Sequence, residues 1–292
     1  IAGLVEVVQL GRSGHQSTIN DRDPTPIPKD TPVSYDTWDR RGAPLVRHSH
    51  AFLARMRNLL RDRLPDVLEM LLASGAEELT VANLLREGID DTSPRPGDDD
   101  LSLLACRRLT FEWVLHRIAG AEHRVALRDG MNVAGLLVDR SRSLPHVNGV
   151  RLDSGETLWA DLVVDAAGRR SRLGTWLTDA GLPALRSESE PCGIFYCSRF
   201  YRLREGATPP ARDTPIGAAL GVMKSAIFHG DSNIFSVTSA AAPEDPPLRA
   251  LLHEAPFTAA AETRPATRAW IDPAVAEPIS GVHAMDALRN TR

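Results

Sequence analysis

The segment 161–168 constrains the fold of this chain more than any other. It reads Asp-Leu-Val-Val-Asp-Ala-Ala-Gly, an apolar run with β-branched residues that ends in an acidic residue and a glycine turn. Such a run predicts a buried strand, followed by a turn and a helix that opens at Ser171. In open α/β folds, cofactors bind where a carboxylate and backbone N–H groups meet at this end of a sheet. We therefore expect an α/β fold with a ligand near Asp165 and Gly168.

The opening residues fit the same kind of fold. Gly3 ends the opening Ile-Ala-Gly, and Asp21 follows eighteen residues later at the end of a predicted strand. In a Rossmann unit, the last fingerprint glycine lets the helix pack closely on the sheet. An acidic residue after the next strand accepts hydrogen bonds from the ribose hydroxyls. A glycine and an aspartate at this separation also occur by chance. Only the final x-x-G of the fingerprint is present and residue 1 is Ile, so we expect a fragment.

Hydrophobic periodicity places the remaining elements. It predicts helices over 4–14, over 50–73 with a division at Pro65, and over 101–119. Proline-rich residues 23–46 and polar residues 88–100 predict loops. Three β-branched runs between residues 124 and 155 predict hairpin-linked antiparallel strands. The different texture of residues 176–271 predicts a second, α+β domain built on a mixed or antiparallel sheet.

Composition excludes several function classes. The net charge of −4 and pI near 6.2 argue against a nucleic-acid binder. Three cysteines form no C-x-x-C pair, and no run approaches the ~18–20 apolar residues of a membrane span, so we expect reduced thiols in a cytoplasmic protein. His48 and His50 are too few ligands for a metal site, so we expect no metal.

Four blocks, in this order, resemble the group A flavoprotein monooxygenases. This FAD-dependent, para-hydroxybenzoate hydroxylase-like class also contains flavin halogenases and geranylgeranyl-reductase-like enzymes. The blocks are IAGL with the later INDRDPTP, then RHSHAFLARMRNLL, CRRLTFEWVLHRIA and DLVVDAAGRRSRL. Together they span most of residues 1–175. The G-x-G half of the fingerprint and the family's later Gly-Asp motif are missing, so the resemblance implies a fragment that lacks both ends.

The resemblance implies an α/β fold with an incomplete Rossmann-like FAD-binding domain and seven cofactor-binding residues, which are Gly3, Asp21, Arg22, Arg47, Arg108, Asp165 and Gly168. Asp21 would bind the ribose, with Arg22 near the adenosine. Arg47 would reach the flavin or pyrophosphate, and Arg108 matches the family's helix arginine. No catalytic acid or base is implied, since the flavin carries the chemistry in this class.

The resemblance also implies a function and a domain division. The expected activity is an FAD-dependent oxidoreductase, most directly a monooxygenase that hydroxylates an aromatic or polyketide-like small molecule with NAD(P)H and O₂. A geranylgeranyl-reductase-like enzyme and a non-catalytic truncated remnant are the alternatives. The FAD-binding domain would comprise 1–73, 101–175 and 272–292, and the substrate domain 74–100 and 176–271. The sequence assigns no substrate identity, nicotinamide preference or oligomeric state.

Overall fold

The computed structural model describes residues 1–24, 26–30, 37–38, 40–81, 90–141, 143–211 and 217–291 of the chain. The helices with described bounds are α1 (Ala2–Arg12), α2 (Ala54–Arg63), α3 (Pro65–Ala73), α4 (Arg108–Ala121), α5 (Leu173–Asp179), α6 (Glu254–Glu262) and α7 (Pro265–Trp270). Short 3₁₀ turns cover Pro44–Arg47, Asp98–Leu101, Gly168–Arg170 and Pro247–Leu252. None of these helices is long and apolar enough to cross a membrane.

The described strands form five sheets. They are β1 (Ser17–Asp21), β2 (Glu77–Leu79), β3 (Leu103–Ala105), β4 (Val125–Asp129), β5 (Val133–Asp139), β6 (His146–Leu152), β7 (Thr157–Trp159), β8 (Ser189–Pro191), β9 (Phe195–Leu203), β10 (Gly217–Leu220), β11 (Met223–His229), β12 (Ile234–Ala241), β13 (Ala276–Pro278), β14 (His283–Met285) and β15 (Arg289–Thr291). Three two-stranded sheets pair β1 with β4, β2 with β3, and β8 with β15, and a three-stranded sheet has the order β5-β6-β7. The largest has the order β10-β11-β12-β9-β13, with β14 also on β9.

The first layer is a helical layer on the parallel pair β1–β4. The predicted first helix is confirmed as α1, and Gly14, just beyond it, adopts a φ of +95° that favours glycine. The predicted division at Pro65 is also confirmed: Pro65 is the first residue of α3, where its missing N–H costs nothing. A core of α1, α2, α3 and α4 side chains includes Val8, Leu71 and Val114, each fully buried.

The second layer is the antiparallel sheet around β9 and β12, which confirms the α+β character predicted for residues 176–271. One face packs against α6 and α7 through residues such as Phe195, Val237 and Phe257. A smaller apolar cluster joins the two layers, with Leu109 of α4 against Phe200 and Ile234 of this sheet. The two layers therefore meet along α4 and the strands β9 and β12.

Three sequence predictions about individual elements are wrong. Residues 103–105 are strand rather than helix, because they pair antiparallel with β2, and Leu104 also exchanges backbone hydrogen bonds with Phe52. The helix α4 begins only at Arg108. The first of the three predicted hairpin strands, β4, pairs in parallel with β1 instead of with β5. The run 161–165 pairs with no described strand, and it exposes 67% of Leu162 and 53% of Val164.

Two strands near the end of the described chain join the second sheet. β13 and β14, which the predicted division assigned to the FAD-binding domain, both pair antiparallel with β9. Pro278 lies opposite Tyr201, and Met285 lies opposite Tyr196. Residues 82–89 of the predicted substrate domain lie outside the described residues.

Candidate functional site

The N-terminal end of α1 lies against the loop that carries two predicted site residues. A Cβ built on Gly3 would be 3.0 Å from the Cβ of Ala166, so a larger side chain would push the helix away from the loop. In that loop, Asp165 accepts hydrogen bonds from the backbone N–H of Ala167, at 2.9 Å, and from the hydroxyl of Ser171. Gly168 has a φ of +63° and open space where a side chain would be. The structure therefore brings Gly3, Asp165 and Gly168 together.

Asp21 lies at the end of β1 and is held by an arginine that the sequence analysis missed. Arg40 Nη2 donates to Asp21 Oδ2 at 2.9 Å, and the same guanidinium lies 3.3 Å from both Asp23 Oδ2 and Glu112 Oε2. Burial raises the pKa of Asp21, but the charge and hydrogen bond of Arg40, with the hydrogen bond from the Asp23 backbone N–H, together lower it by more. Because 24% of the Asp21 side chain is exposed, the carboxylate can still accept a hydrogen bond from a ligand.

Arg108 joins the same network from the first turn of α4. Its Nε donates to Glu112 Oε1 at 2.8 Å, and its Nη1 lies 3.5 Å from His50 Nε2. Glu112 is buried, so one carboxylate holds Arg40 and Arg108 together. The spacing of four residues between Arg108 and Glu112 is visible in the sequence. Arg40 carries no such signal, since it lies in a loop without periodicity.

Arg22, which directly follows Asp21, and Arg47 form no hydrogen bond or ion pair with the other predicted residues in the part of the chain that the structure describes. Arg22 is exposed and donates to the backbone oxygen of Gly42 at 3.4 Å. Arg47 is exposed at the end of its 3₁₀ turn, and its positive charge acts on His283 of β14. Arg47 therefore lies beside the second sheet.

Three rings, which we call the ring cluster, meet between Arg47 and that sheet: His48, Tyr196 and His283. The His48 ring centroid is 5.3 Å from that of Tyr196 and 6.4 Å from that of His283. Burial, followed by the nearby His283 and His50, lowers the pKa of His48 to about 4. Burial and the charge of Arg47 lower the pKa of His283 as well. Both imidazoles are therefore neutral near pH 7. From the sequence, His48 was considered only as a metal ligand.

Hydroxyl groups tie the segment between His48 and His50 to the second sheet. Ser49 Oγ lies 2.6 Å from Ser236 Oγ and 2.5 Å from Thr238 Oγ1, and Thr238 Oγ1 lies 2.8 Å from Ser198 Oγ. Beside them is a cavity of about 10 Å³, close to the size of one water molecule. Within the described parts of the chain, no group of three or more His, Cys, Asp or Glu side chains could hold a metal ion.

The arrangement has the chemical features of a nucleotide site that lies beside the second sheet. The carboxylate of Asp21 can accept hydrogen bonds from hydroxyl groups. The α1 N-terminus and the 165–168 loop offer backbone N–H groups that can donate hydrogen bonds to a phosphate. The open space at Gly168 leaves room for a ligand at the loop. These residues therefore fit the adenosine and pyrophosphate portions of a dinucleotide.

Comparison with known proteins gives distant relatives. No family model matches the chain. The protein Rv3254 of Mycobacterium tuberculosis is 28% identical over 228 residues, which cover 70% of this chain. The match spans 44% of that curated relative's own length.

Solved structures resemble the chain over nearly its whole length. PqsL, a probable FAD-dependent monooxygenase from Pseudomonas aeruginosa, superposes with a TM-score of 0.64 at 13% identity, covering 95% of this chain and 70% of PqsL. PqsL has also been solved in complex with 2-aminobenzoylacetate. The flavin-dependent brominase Bmp2 superposes with a TM-score of 0.63 at 14% identity, covering 97% of this chain and 64% of the brominase. The chain therefore has the fold of the FAD-dependent monooxygenases and halogenases.

Proposed function

We propose that this chain binds FAD and belongs to an FAD-dependent monooxygenase that acts on an aromatic or polyketide-like small molecule with NAD(P)H and O₂. The observation that carries the proposal is the packing of the α1 N-terminus on the 165–168 loop beside a parallel strand pair. In a chain with this fold, that packing forms a site for a dinucleotide. This close packing is possible because Gly3 has no side chain: a Cβ added there would lie 3.0 Å from the Cβ of Ala166.

Each predicted residue has a role in holding the cofactor. Asp21 accepts hydrogen bonds from the ribose hydroxyls, and the exposed Arg22 follows it in the chain. The α1 N-terminus after Gly3 and the turn at Gly168 bind the pyrophosphate through backbone N–H groups. Arg47 and Arg108 are the candidate contacts to the flavin half, and Asp165 holds the turn in shape through Ala167 and Ser171.

FAD, when bound, supplies the redox chemistry, while the chain binds, orients and shields the reactants. The network around Arg40 fixes the carboxylate of Asp21 before the cofactor arrives, which lowers the entropic cost of binding. Ser198 and Thr238, on one face of the second sheet, hydrogen-bond to each other, and Thr238 also bonds to Ser49, so this part of the face is covered. We place the substrate beside the half-buried Tyr196 on the same face.

Titration of the purified chain with FAD tests the proposal. We expect a yellow complex with flavin absorption and an increase in thermal stability as FAD is added. Asp21→Asn should weaken FAD binding about tenfold or more, because a charge-assisted hydrogen bond contributes about 1.5–3 kcal/mol. Asp129→Asn is the matched control, since Asp129 lies opposite Asp21 on β4.

Three results would contradict parts of the proposal. A chain that stays colourless and gains no stability with FAD does not bind the cofactor. Equal effects of Asp21→Asn and Asp129→Asn would reject the ribose-binding role of Asp21. In a protein that binds FAD, NAD(P)H oxidation without consumption of O₂ would indicate a reductase of isoprenoid double bonds instead.

A further inference from the structure

Glu112 of α4 is a buried carboxylate that two arginines share. Only 1% of its side chain is exposed. Its Oε1 accepts a hydrogen bond from the Nε of Arg108 at 2.8 Å, and its Oε2 accepts one from the Nε of Arg40 at 3.3 Å. Because hydrogen bonds in a site of low dielectric polarise one another, a change at one oxygen alters the hold of the carboxylate on the other arginine.

Arg40 connects Glu112 to the carboxylate that is proposed to bind the ribose. Its Nη2 donates to Asp21 Oδ2 at 2.9 Å, while its Nη1 lies 3.3 Å from Asp23 Oδ2. Its Cζ lies 5.1 Å from the centroid of the Trp38 ring, and 8% of the Arg40 side chain is exposed. The guanidinium is therefore enclosed between three carboxylates and a ring. A hydroxyl that donates to Asp21 weakens the attraction of Asp21 for Arg40, and Arg40 then interacts more strongly with Glu112.

Arg108 lies on the other side of Glu112 and keeps donors for a ligand. Its side chain is 18% exposed, and its Nη1 lies 3.5 Å from His50 Nε2. Within the described ranges, Arg108 pairs with no acid other than Glu112. The bond to Glu112 holds Nε, so it sets the direction in which the Nη1 and Nη2 groups point. When Glu112 interacts more strongly with Arg40, its hold on Arg108 weakens, and the guanidinium can turn toward an acceptor on the flavin half.

We propose that Glu112 is a positioning residue that couples the adenosine half of the cofactor site, at Asp21, to the flavin half, at Arg108. Arg40 carries the coupling between Glu112 and Asp21. The inference rests on the proposed function, because it concerns the same site. Binding of the ribose at Asp21 favours the contact that Arg108 makes, and the reverse holds by reciprocity. A merely structural Glu112 would stabilise the fold without making either contact depend on the other.

A double-mutant cycle on the dissociation constant of FAD tests this coupling in the full chain. The cycle compares Asp21→Asn, Arg108→Gln and the double variant with the wild-type chain. We expect each single variant to weaken FAD binding about tenfold or more. The double variant should lose about 3- to 10-fold less affinity than the product of the two single losses, because the second contact already lacks its support when the first is removed.

The same cycle in further backgrounds identifies the residue that carries the coupling. In Glu112→Gln the side chain keeps its size, but one of its two oxygens becomes an NH₂ group that accepts no hydrogen bond, so the two losses should become additive. Arg40→Lys should give the same additivity, since a lysine lacks the planar fork that reaches three carboxylates. It also decides the question if Glu112→Gln does not fold. Glu122→Gln is the matched control: Glu122 pairs with Arg12 just beyond the end of α4, and the coupling should persist in this background.

Each remaining outcome decides against the inference. Additive losses in the wild-type background overturn the coupling and leave FAD binding, and so the proposed function, intact. Coupling that persists in Glu112→Gln or in Arg40→Lys excludes the path through these two residues, as does loss of the coupling in Glu122→Gln. An unchanged FAD dissociation constant in Arg108→Gln removes the flavin-half contact on which the inference depends. A wild-type chain that never binds FAD overturns the proposed function and the inference together.

Discussion

The ion pair between Arg107 and Asp231 joins the two layers of the molecule, and removing its negative charge should destabilise the whole fold. Asp231 lies in the turn between β11 and β12. Its carboxylate accepts hydrogen bonds from the backbone N–H of Arg107, at 3.0 Å, and from the Nε of Arg107, at 2.9 Å. The side chains are 4% and 0% exposed. Burial raises the pKa of Asp231, but the charge and hydrogen bonds of Arg107, with a hydrogen bond from Thr110, together lower it by more.

The variant Asp231→Asn keeps the size of the side chain and leaves the Arg107 guanidinium buried without its counter-charge. Breaking a buried pair in this way costs about 3–5 kcal/mol, a large share of a total stability of about 5–15 kcal/mol. With an m-value near 3 kcal/mol per M, the urea midpoint at pH 7 should fall by roughly 1 M or more. Glu156→Gln is the matched control, because the Arg128–Glu156 pair is exposed and screened by solvent, and it should shift the midpoint far less.

The pH dependence of the same comparison gives a second check. The pKa of Asp231 is lower in the folded state than in the unfolded state, where it is about 3.9. The contribution of Asp231 to the free energy of unfolding is therefore complete above the unfolded-state pKa and is lost as the pH falls through the folded-state pKa. The gap between the wild-type chain and Asp231→Asn should therefore be largest above pH 5 and narrow in stronger acid. Equal midpoint shifts for Asp231→Asn and Glu156→Gln at pH 7 would refute this reasoning.

Three further predictions concern other parts of the molecule. Gly3→Val should weaken FAD binding, because a side chain here would press on Ala166, and an unchanged FAD dissociation constant would contradict the close packing. Burial, with the charge of Arg40, lowers the pKa of His116 to about 4, so the free energy of unfolding should fall as the pH drops from about 6.5 toward 4. Urea midpoints of the wild-type chain and His116→Gln check this, and parallel pH profiles would refute it. Iodoacetamide should modify partly exposed Cys192 in the folded chain before Cys106, because Cys106 is 2% exposed and burial raises the pKa of its thiol. Equal modification rates by mass spectrometry would contradict the burial of Cys106.

Local chemistry made part of this structure predictable from the sequence. Pro65 fixes the start of a helix, and the turn after β6 forms at Asp153 and Gly155, where Gly155 has a φ of +88°. The i,i+4 pair of Arg108 and Glu112 is equally local. Each of these features depends on residues within a few positions of one another, so a short stretch of sequence contains the physical cause.

Features that depend on distant residues were not predictable in the same way. β4 has a strand-like composition, but its parallel partner β1 lies more than one hundred residues earlier. Arg40 pairs with Asp21 and also with Glu112 on α4, which is 72 residues further along the chain. The ring cluster depends on His48 and His283, which are joined only when β14 adds to the second sheet. Periodicity reports which face of an element is apolar, and not which element will cover it.

The exposed run at 161–165 has a consequence for the behaviour of the chain at high concentration. It presents Leu162 and Val164 to solvent, and it pairs with no described strand. Such a segment is a template for edge-to-edge pairing between molecules. A net charge of −4 on 292 residues offers only weak repulsion against that association. Self-association should therefore begin at this run, and a charged substitution at Leu162 should delay it.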